Sequence, residues 1–258
     1  MVEEIELSVQ GEIAFVRLRR PSEGNALRGT MFDGLRKVGL KLADSPPKYV
    51  VLSGEGADFC IGLARSSDEP LLQLFDPLVR SRDTHGAAEL VRRLRSSLET
   101  FSRLPCPVIA AIEGRCHGAG LEFALMADLR VCAQDATFAM DEGHHNILTG
   151  LGGLGRLIAS LGPGRAGHLT LTGQQMSAAE AEILGLVQGV APSGGALNAA
   201  VDLVHELRRT GPTARQQALL AMRAIQNKLA TELLDIETQH AARTWMSAEY
   251  QITDDGTT

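Results

Sequence analysis

What is missing from this chain narrows its class before any motif is read. No apolar run approaches the roughly 20 residues that a bilayer-spanning helix needs, so the sequence predicts no membrane segment. Lys and Arg number 25 against 31 Asp and Glu, for a net charge of −6. That balance offers no general attraction to nucleic acid or to an acidic membrane surface. The four cysteines, Cys60, Cys106, Cys116 and Cys132, follow no CxxC or metal-ligand spacing, which predicts buried thiols in a reducing compartment. The opening MVEEIELSVQ is acidic and has no apolar centre, unlike a signal or transit peptide. The expected location is therefore cytoplasmic. Neither internal repeats nor low-complexity tracts interrupt the chain.

What is present is an ordinary globular composition, 44% hydrophobic and 22% charged over 258 residues, enough for one large domain or one domain with a small appendage. Ile5, Leu7 and Val9 alternate with polar residues, Gly11-Glu12 makes a turn, and Ile13 to Leu18 alternates again, which predicts a β-hairpin. A helix is expected from about Leu27 to Met31 onward, and Lys48 to Ser53 reads as a buried strand. Ala64 to Asp83 mixes Ser, Asp, Pro and Arg and is expected to be an irregular surface loop. Periodicity returns at Ala87 to Leu104, with Leu90, Val91, Leu94, Leu98 and Phe101 on one helical face. This β/α alternation favours a mostly parallel sheet.

The stretch Val108 to Leu157 carries the chemistry. A buried-strand run, Val108 to Ile112, breaks into Gly114, Gly118 and Gly120 and restarts as a helix over Leu121 to Met126. Such a turn leaves backbone N–H groups free at a helix start, where a negative oxygen is favoured. Glu122 lies in the first turn of that helix, and Glu142 follows the next strand-like run, Ala136 to Met140. Donors for an anion plus two acids are the parts needed for chemistry through an enolate. Each part also has a plainer reading. The glycines serve close packing equally well, Glu122 fits a structural salt bridge, and Glu142 fits a solvated loop acid beside Asp141. Arg17, Arg19 and Arg20 read as a solvated edge or as contacts to a phosphorylated ligand.

Beyond Leu157 the chain turns helical. Gly162-Pro163-Gly164 makes a turn before a short helix over Ala166 to Leu171, and Ser177 to Glu180 fits a capping box. Gly185-Leu186-Val187 and Val190 predict a last short strand, with a linker at Pro192 to Gly195. Helices are expected over Ala196 to Arg209, from Gly211-Pro212-Thr213 through Lys228, and from about Leu229 to Glu249.

Seven of these pieces together resemble the enoyl-CoA hydratase/isomerase, or crotonase, superfamily in order and spacing. They are Asn25-Ala26-Leu27, VVLSGEGADFCIGL, PCPVIAAIEG, GAGLEFALMADLRV, ATFAMDEG, GLGGLGRL and LTGQQMSAAEAEILGLV. The resemblance implies an α/β fold of the ClpP/crotonase type, with a ββα spiral core over 1–192 and a C-terminal helical trimerisation region over 193–258. It implies an acyl-CoA substrate, or an acyl thioester on a carrier, whose carbonyl oxygen is held by the N–H groups of Leu63 and Ala119. Glu122 and Glu142 would flank a water, with Glu122 as base and Glu142 as proton donor to the α-carbon. Coenzyme A would contact Arg20, Ala26, Leu27, Ala57, Gly62 and Gly118, entering as part of the substrate without a separate cofactor or metal. A homotrimer or hexamer is the expected assembly.

This sequence departs from the family around the acyl group. Leu63 is followed by Ala64-Arg65-Ser66 rather than an acidic residue, Asp141 stands where a proline commonly precedes the glutamate, and Gly143-His144-His145-Asn146 replaces an aliphatic run. His144 and His145 read either as extra acid/base or acyl-contacting groups, or as a solvated pair. Arg65 reads as a partner for an acidic acyl group or a CoA phosphate, or as a surface residue. Hydration of a 2-enoyl thioester is the activity expected. Isomerisation, decarboxylation, thioester hydrolysis and non-catalytic acyl-thioester binding are the alternatives.

Overall fold

The computed structural model describes residues 4–65, 69–148 and 150–246, with side chains excepted at 227–234. Strands β1 (Ile5–Gln10) and β2 (Ile13–Leu18) form the expected hairpin, followed by helix α1 (Gly29–Asp44) and strand β3 (Tyr49–Gly54). Helices α2 (Pro70–Ser81) and α3 (Thr84–Ser102) precede β4 (Val108–Ile112), β5 (Arg115–His117) and the short α4 (Ala119–Ala124). Next come β6 (Leu129–Ala133), β7 (Thr137–Ala139), α5 (Gly153–Thr172), β8 (Met176–Ser177) and α6 (Ala178–Ile183). β9 (Val190–Ala191), α7 (Ala196–Arg208) and α8 (Pro212–Trp245) complete the order.

The main sheet runs β1-β2-β3-β4-β6-β9, and every pairing after the hairpin is parallel. A second sheet, β5-β7-β8, holds the polypeptide that follows β4. Alternation along each strand sends side chains to opposite faces, and here both faces are covered. Val16, Leu52, Ala110 and Ile112 join the large core. Ile13, Tyr49, Val51, Ile109, Ala111 and Val131 meet Ala196, Ala200 and Val204 of α7. Burial on both sides is why the YVVL and VIAAI runs are continuously apolar. Among the described residues no helix is long and apolar enough to cross a membrane, and all four cysteines are buried and free.

Two expectations are corrected. The segment expected as an irregular loop contains α2, outside the undescribed 66–68. Its start is capped by Glu69, 1% exposed, whose Oε1 accepts from Leu71 N at 3.4 Å and from Gly29 N at 2.9 Å. One carboxylate thus serves the starts of both α1 and α2, while Pro70 occupies the first helical turn, where its missing N–H costs nothing. Leu71, Leu72 and Phe75 then point into the core. The second correction concerns the C-terminal region, where α8 runs unbroken through the boundary expected near Lys228. Residues 213–245 contain neither Gly nor Pro, so nothing local ends the helix. The expected end at Glu249 lies outside the described residues. Gly162, at φ 75° and ψ 162°, interrupts α5 where a turn was expected.

Candidate active site

Two loops meet at the carboxyl end of the parallel strands, the usual place for a ligand in an open α/β sheet. After β3 the chain is tied down by Asn25, a fully buried residue in the left-handed region at φ 57°. Its Nδ2 donates to the carbonyls of Glu55 at 2.9 Å and Asp58 at 2.7 Å. Leu27 N then donates to Gly62 O, and Ala64 N to Leu27 O, each at 2.8 Å. Those bonds account for the Asn25-Ala26-Leu27 piece: it is the clamp on the loop that carries Leu63. On the other side, Cys60 N donates to Arg115 O and His117 N to Cys60 O, stitching the same loop to β5. A Cβ at Gly120 would collide with the Cys60 carbonyl, and Gly118 sits at φ 50° with Glu142 Oε1 2.8 Å from where its Cβ would be. Glycine is required at both positions.

Among the described residues, neither Leu63 N–H nor Ala119 N–H has an acceptor in the protein. Ala119 opens α4, so its N–H has no intrahelical partner, and Leu63 uses its neighbours' groups, not its own, in the bridge to Leu27. Leu63, Glu122 and Glu142 line one cavity of about 30 Å³. Its remaining wall is apolar and includes Leu94 of α3, Ile147, Phe75 of α2 and Trp245 of α8. Phe75 and Trp245 stack with ring centroids 4.1 Å apart.

Glu122 is 1% exposed. Its Oε1 accepts from Leu151 N and Gly153 N, both at 3.0 Å, and a Cβ on Gly153 would run into the glutamate side chain. Burial, reinforced by the charges of Glu142 and Glu237, drives the Glu122 carboxyl well above its usual range, and the two N–H donors only partly offset this. Glu142 is 6% exposed, and among the described residues neither of its oxygens has a hydrogen-bond partner. Burial first, then the charge of Asp141, pushes it up to about 8. The Arg65 charge and the N–H of Glu142 itself, which falls short of hydrogen-bond geometry, work against that rise. The two carboxyls face one cavity, and the charge of Glu142 disfavours that of Glu122, so their titrations are linked.

The structure separates the other residues singled out in the sequence. Leu27 is fully buried and Ala26 nearly so, Ala57 is exposed, and Gly62 and Gly118 flank the two free N–H groups. The Arg20 guanidinium, 8% exposed, donates to Ala26 O at 2.6 Å, pairs with Glu23 and lies 3.5 Å from Glu4. His144 points away from the cavity, with Nε2 3.2 Å from Thr172 O on the exposed surface. Asp141 Oδ2 lies 3.6 Å from Nδ1 of His117, whose Nε2 is 2.9 Å from Thr137 Oγ1. His117, Glu237 and the Phe75–Trp245 pair escaped the sequence reading. Each belongs to an element whose proximity to the glutamates arises only on folding.

Comparison with known proteins identifies the family to which this fold belongs. Residues 8–257 match the family model described as enoyl-CoA hydratase/isomerase. The chain is 31% identical to the 2,3-dehydroadipyl-CoA hydratase of Escherichia coli (strain K12), over 89% of this chain and 87% of that protein. It is 30% identical to the mitochondrial Delta(3,5)-Delta(2,4)-dienoyl-CoA isomerase of Dictyostelium discoideum, over 70% of this chain and 62% of that one. In fold it resembles the crystal structure of an enoyl-CoA hydratase/isomerase from Mycobacterium paratuberculosis, with a TM-score of 0.82 at 22% identity, covering 97% and 96% of the two chains. Crotonase-like in architecture and matched nearly end to end, this chain belongs to the enoyl-CoA hydratase/isomerase family.

Proposed function

We propose that this protein is an enoyl-CoA hydratase, a hydro-lyase adding water syn across the 2,3 double bond of an enoyl thioester. The observation that carries the reading is the pair of buried carboxyls, Glu122 and Glu142, facing one cavity that Leu63 also lines, with the N–H groups of Leu63 and of Ala119 at the start of α4 unused among the described residues. A shift of a double bond along the chain needs one group to move a proton between carbons. Addition of water needs two, one to take a proton and one to give it.

In the proposed reaction Glu122, held by two amides, accepts a proton from water as the water oxygen bonds to the β-carbon. Electrons of the double bond move toward the thioester oxygen, where the N–H groups of Leu63 and Ala119 stabilise the developing charge by roughly 3 kcal/mol each. Glu142, which retains its proton at neutral pH because of its raised pKa, delivers it to the α-carbon. The glutamates finish with the proton exchanged between them and reset through solvent. Coenzyme A, or a carrier-protein phosphopantetheine thioester, enters with the substrate, and no metal takes part in these steps. A homotrimer or hexamer in the cytoplasm is the proposed setting.

Purified protein incubated with crotonyl-CoA and longer enoyl-CoAs should consume the conjugated thioester absorbance and yield the 3-hydroxyacyl product. Binding without turnover would leave an acyl-thioester binder. Conversion of a 3-enoyl-CoA without hydration would move the assignment to isomerase.

A further inference from the structure

We propose that Glu237 is a positioning residue of this site, locking the turn that opens α5 so that the amides of Leu151 and Gly153 hold Glu122, and standing as a further acid behind that side chain. The inference rests on the proposed role of Glu122. Free N–H groups at the start of a helix need acceptors, and here two carboxylates from distant elements divide them. Glu122 Oε1 takes Leu151 N and Gly153 N at 3.0 Å each. Glu237 Oε1 takes Gly152 N at 2.9 Å, and its Oε2 takes Gly155 N at 3.2 Å.

The alternation matters because Gly150, Gly152, Gly153 and Gly155 leave this turn almost without side chains, and Gly152 lies at φ 92°. A glycine-rich turn has little stiffness of its own. Its shape is imposed from outside, by Glu237, which is 3% exposed on α8. Packing of α8 on α3 and α5 brings it there. The charged groups around the pair come from five elements. Glu122 is on α4, Glu142 on the turn after β7, Arg95 on α3, Arg156 on α5, and Glu237 on α8. Burial pushes the Glu237 carboxyl up, and the amides of Gly155 and Gly152 and the charge of Arg95, itself bonded to Thr238 Oγ1 at 2.7 Å, work against that rise. Glu237 in turn disfavours charge on Glu122.

Glu237→Gln removes the charge with little change of shape, and Glu237→Asp keeps the charge but withdraws it by one methylene. The direct readout is the carboxyl carbon of Glu122 in 13C-glutamate-labelled protein, assigned by its loss in Glu122→Gln and titrated by NMR. Glu237→Gln should lower the Glu122 midpoint by about 1 pH unit and carry the acid limb of the kcat profile with it. Glu237→Asp should leave the midpoint near that of the parent while kcat falls by about tenfold or more at nearly constant KM. An unchanged Glu122 titration in Glu237→Gln, with only a lowered Tm, would reduce Glu237 to a helix cap and overturn the proposal. Should Glu237→Gln not fold, Glu237→Asp decides alone, since unaltered kcat there also overturns it. If the parent protein turns over no enoyl-CoA, the hydratase reading falls while the titration still answers for Glu237.

Discussion

The surroundings of Glu122 and Glu142 differ although the two carboxyls share a cavity. Around Glu122 the polar groups are paired: two amides on one oxygen, and a third acid occupied with the neighbouring amides. Around Glu142, set in a short 3-10 turn after β7, both carboxyl oxygens lack partners among the described residues. A buried carboxylate without donors is costly to ionise, and at Glu122, which burial raises as well, two amides offset part of that cost. The difference teaches that the same side chain can be given unequal support within one cavity, and the proposed division into acid and base rests on that inequality.

That contrast breaks most completely when either carboxyl is replaced. Glu122→Gln and Glu142→Gln should each lower kcat by about 10³-fold or more while acyl-CoA binding persists, measured by steady-state kinetics and by titration with a non-reactive analogue. Next in size, Gly153→Ala places a methyl against the Glu122 side chain and should cost roughly 10²-fold in kcat by moving the base, with Glu142's environment left intact. A loss confined to KM would contradict this.

Acidity sharpens the comparison further. With Glu142 pushed up to about 8, kcat should decline as pH rises through about 8, because the proton donor is lost. Stability has the same sign. The native state holds this proton more tightly than the unfolded chain, whose carboxyl sits near the ordinary value of 4.5, so stability falls as pH rises from about 4.5 to about 8. Glu142→Gln, neutral throughout, should therefore exceed the parent at pH 9 by on the order of 2 kcal/mol, a rise in Tm of roughly 4–8 °C. Equal thermal unfolding at pH 5 and pH 9 in both proteins would contradict it. The smallest effect is expected outside the cavity: His144→Ala, at an exposed residue facing Thr172 O, should change kcat/KM less than about twofold and Tm by a degree or two.

Much of the fold was legible locally. The hairpin alternation, the continuous apolar runs of β3 and β4, the glycine break before α4 and the Ser177–Glu180 capping box all follow from short-range period and turn chemistry. α2 was not, because Pro70 reads equally as a loop residue or a first helical residue. The choice depends on Glu69, which reaches across to α1. The surroundings of Arg20 were not legible for a related reason: its pairing with Glu23 and its approach to Glu4 depend on how the hairpin and the loop after it fold together.

By itself, then, the amino-acid order determined which residues could carry the chemistry and which elements would bear them, since periodicity, glycine and capping act over a few residues. Only the tertiary structure decided that Glu122 and Glu142 share a cavity, that Glu237 reaches the same turn from α8, and that His144 does not face the glutamates. Those outcomes depend on burial and on charge at close range, and both are set by which distant elements pack together.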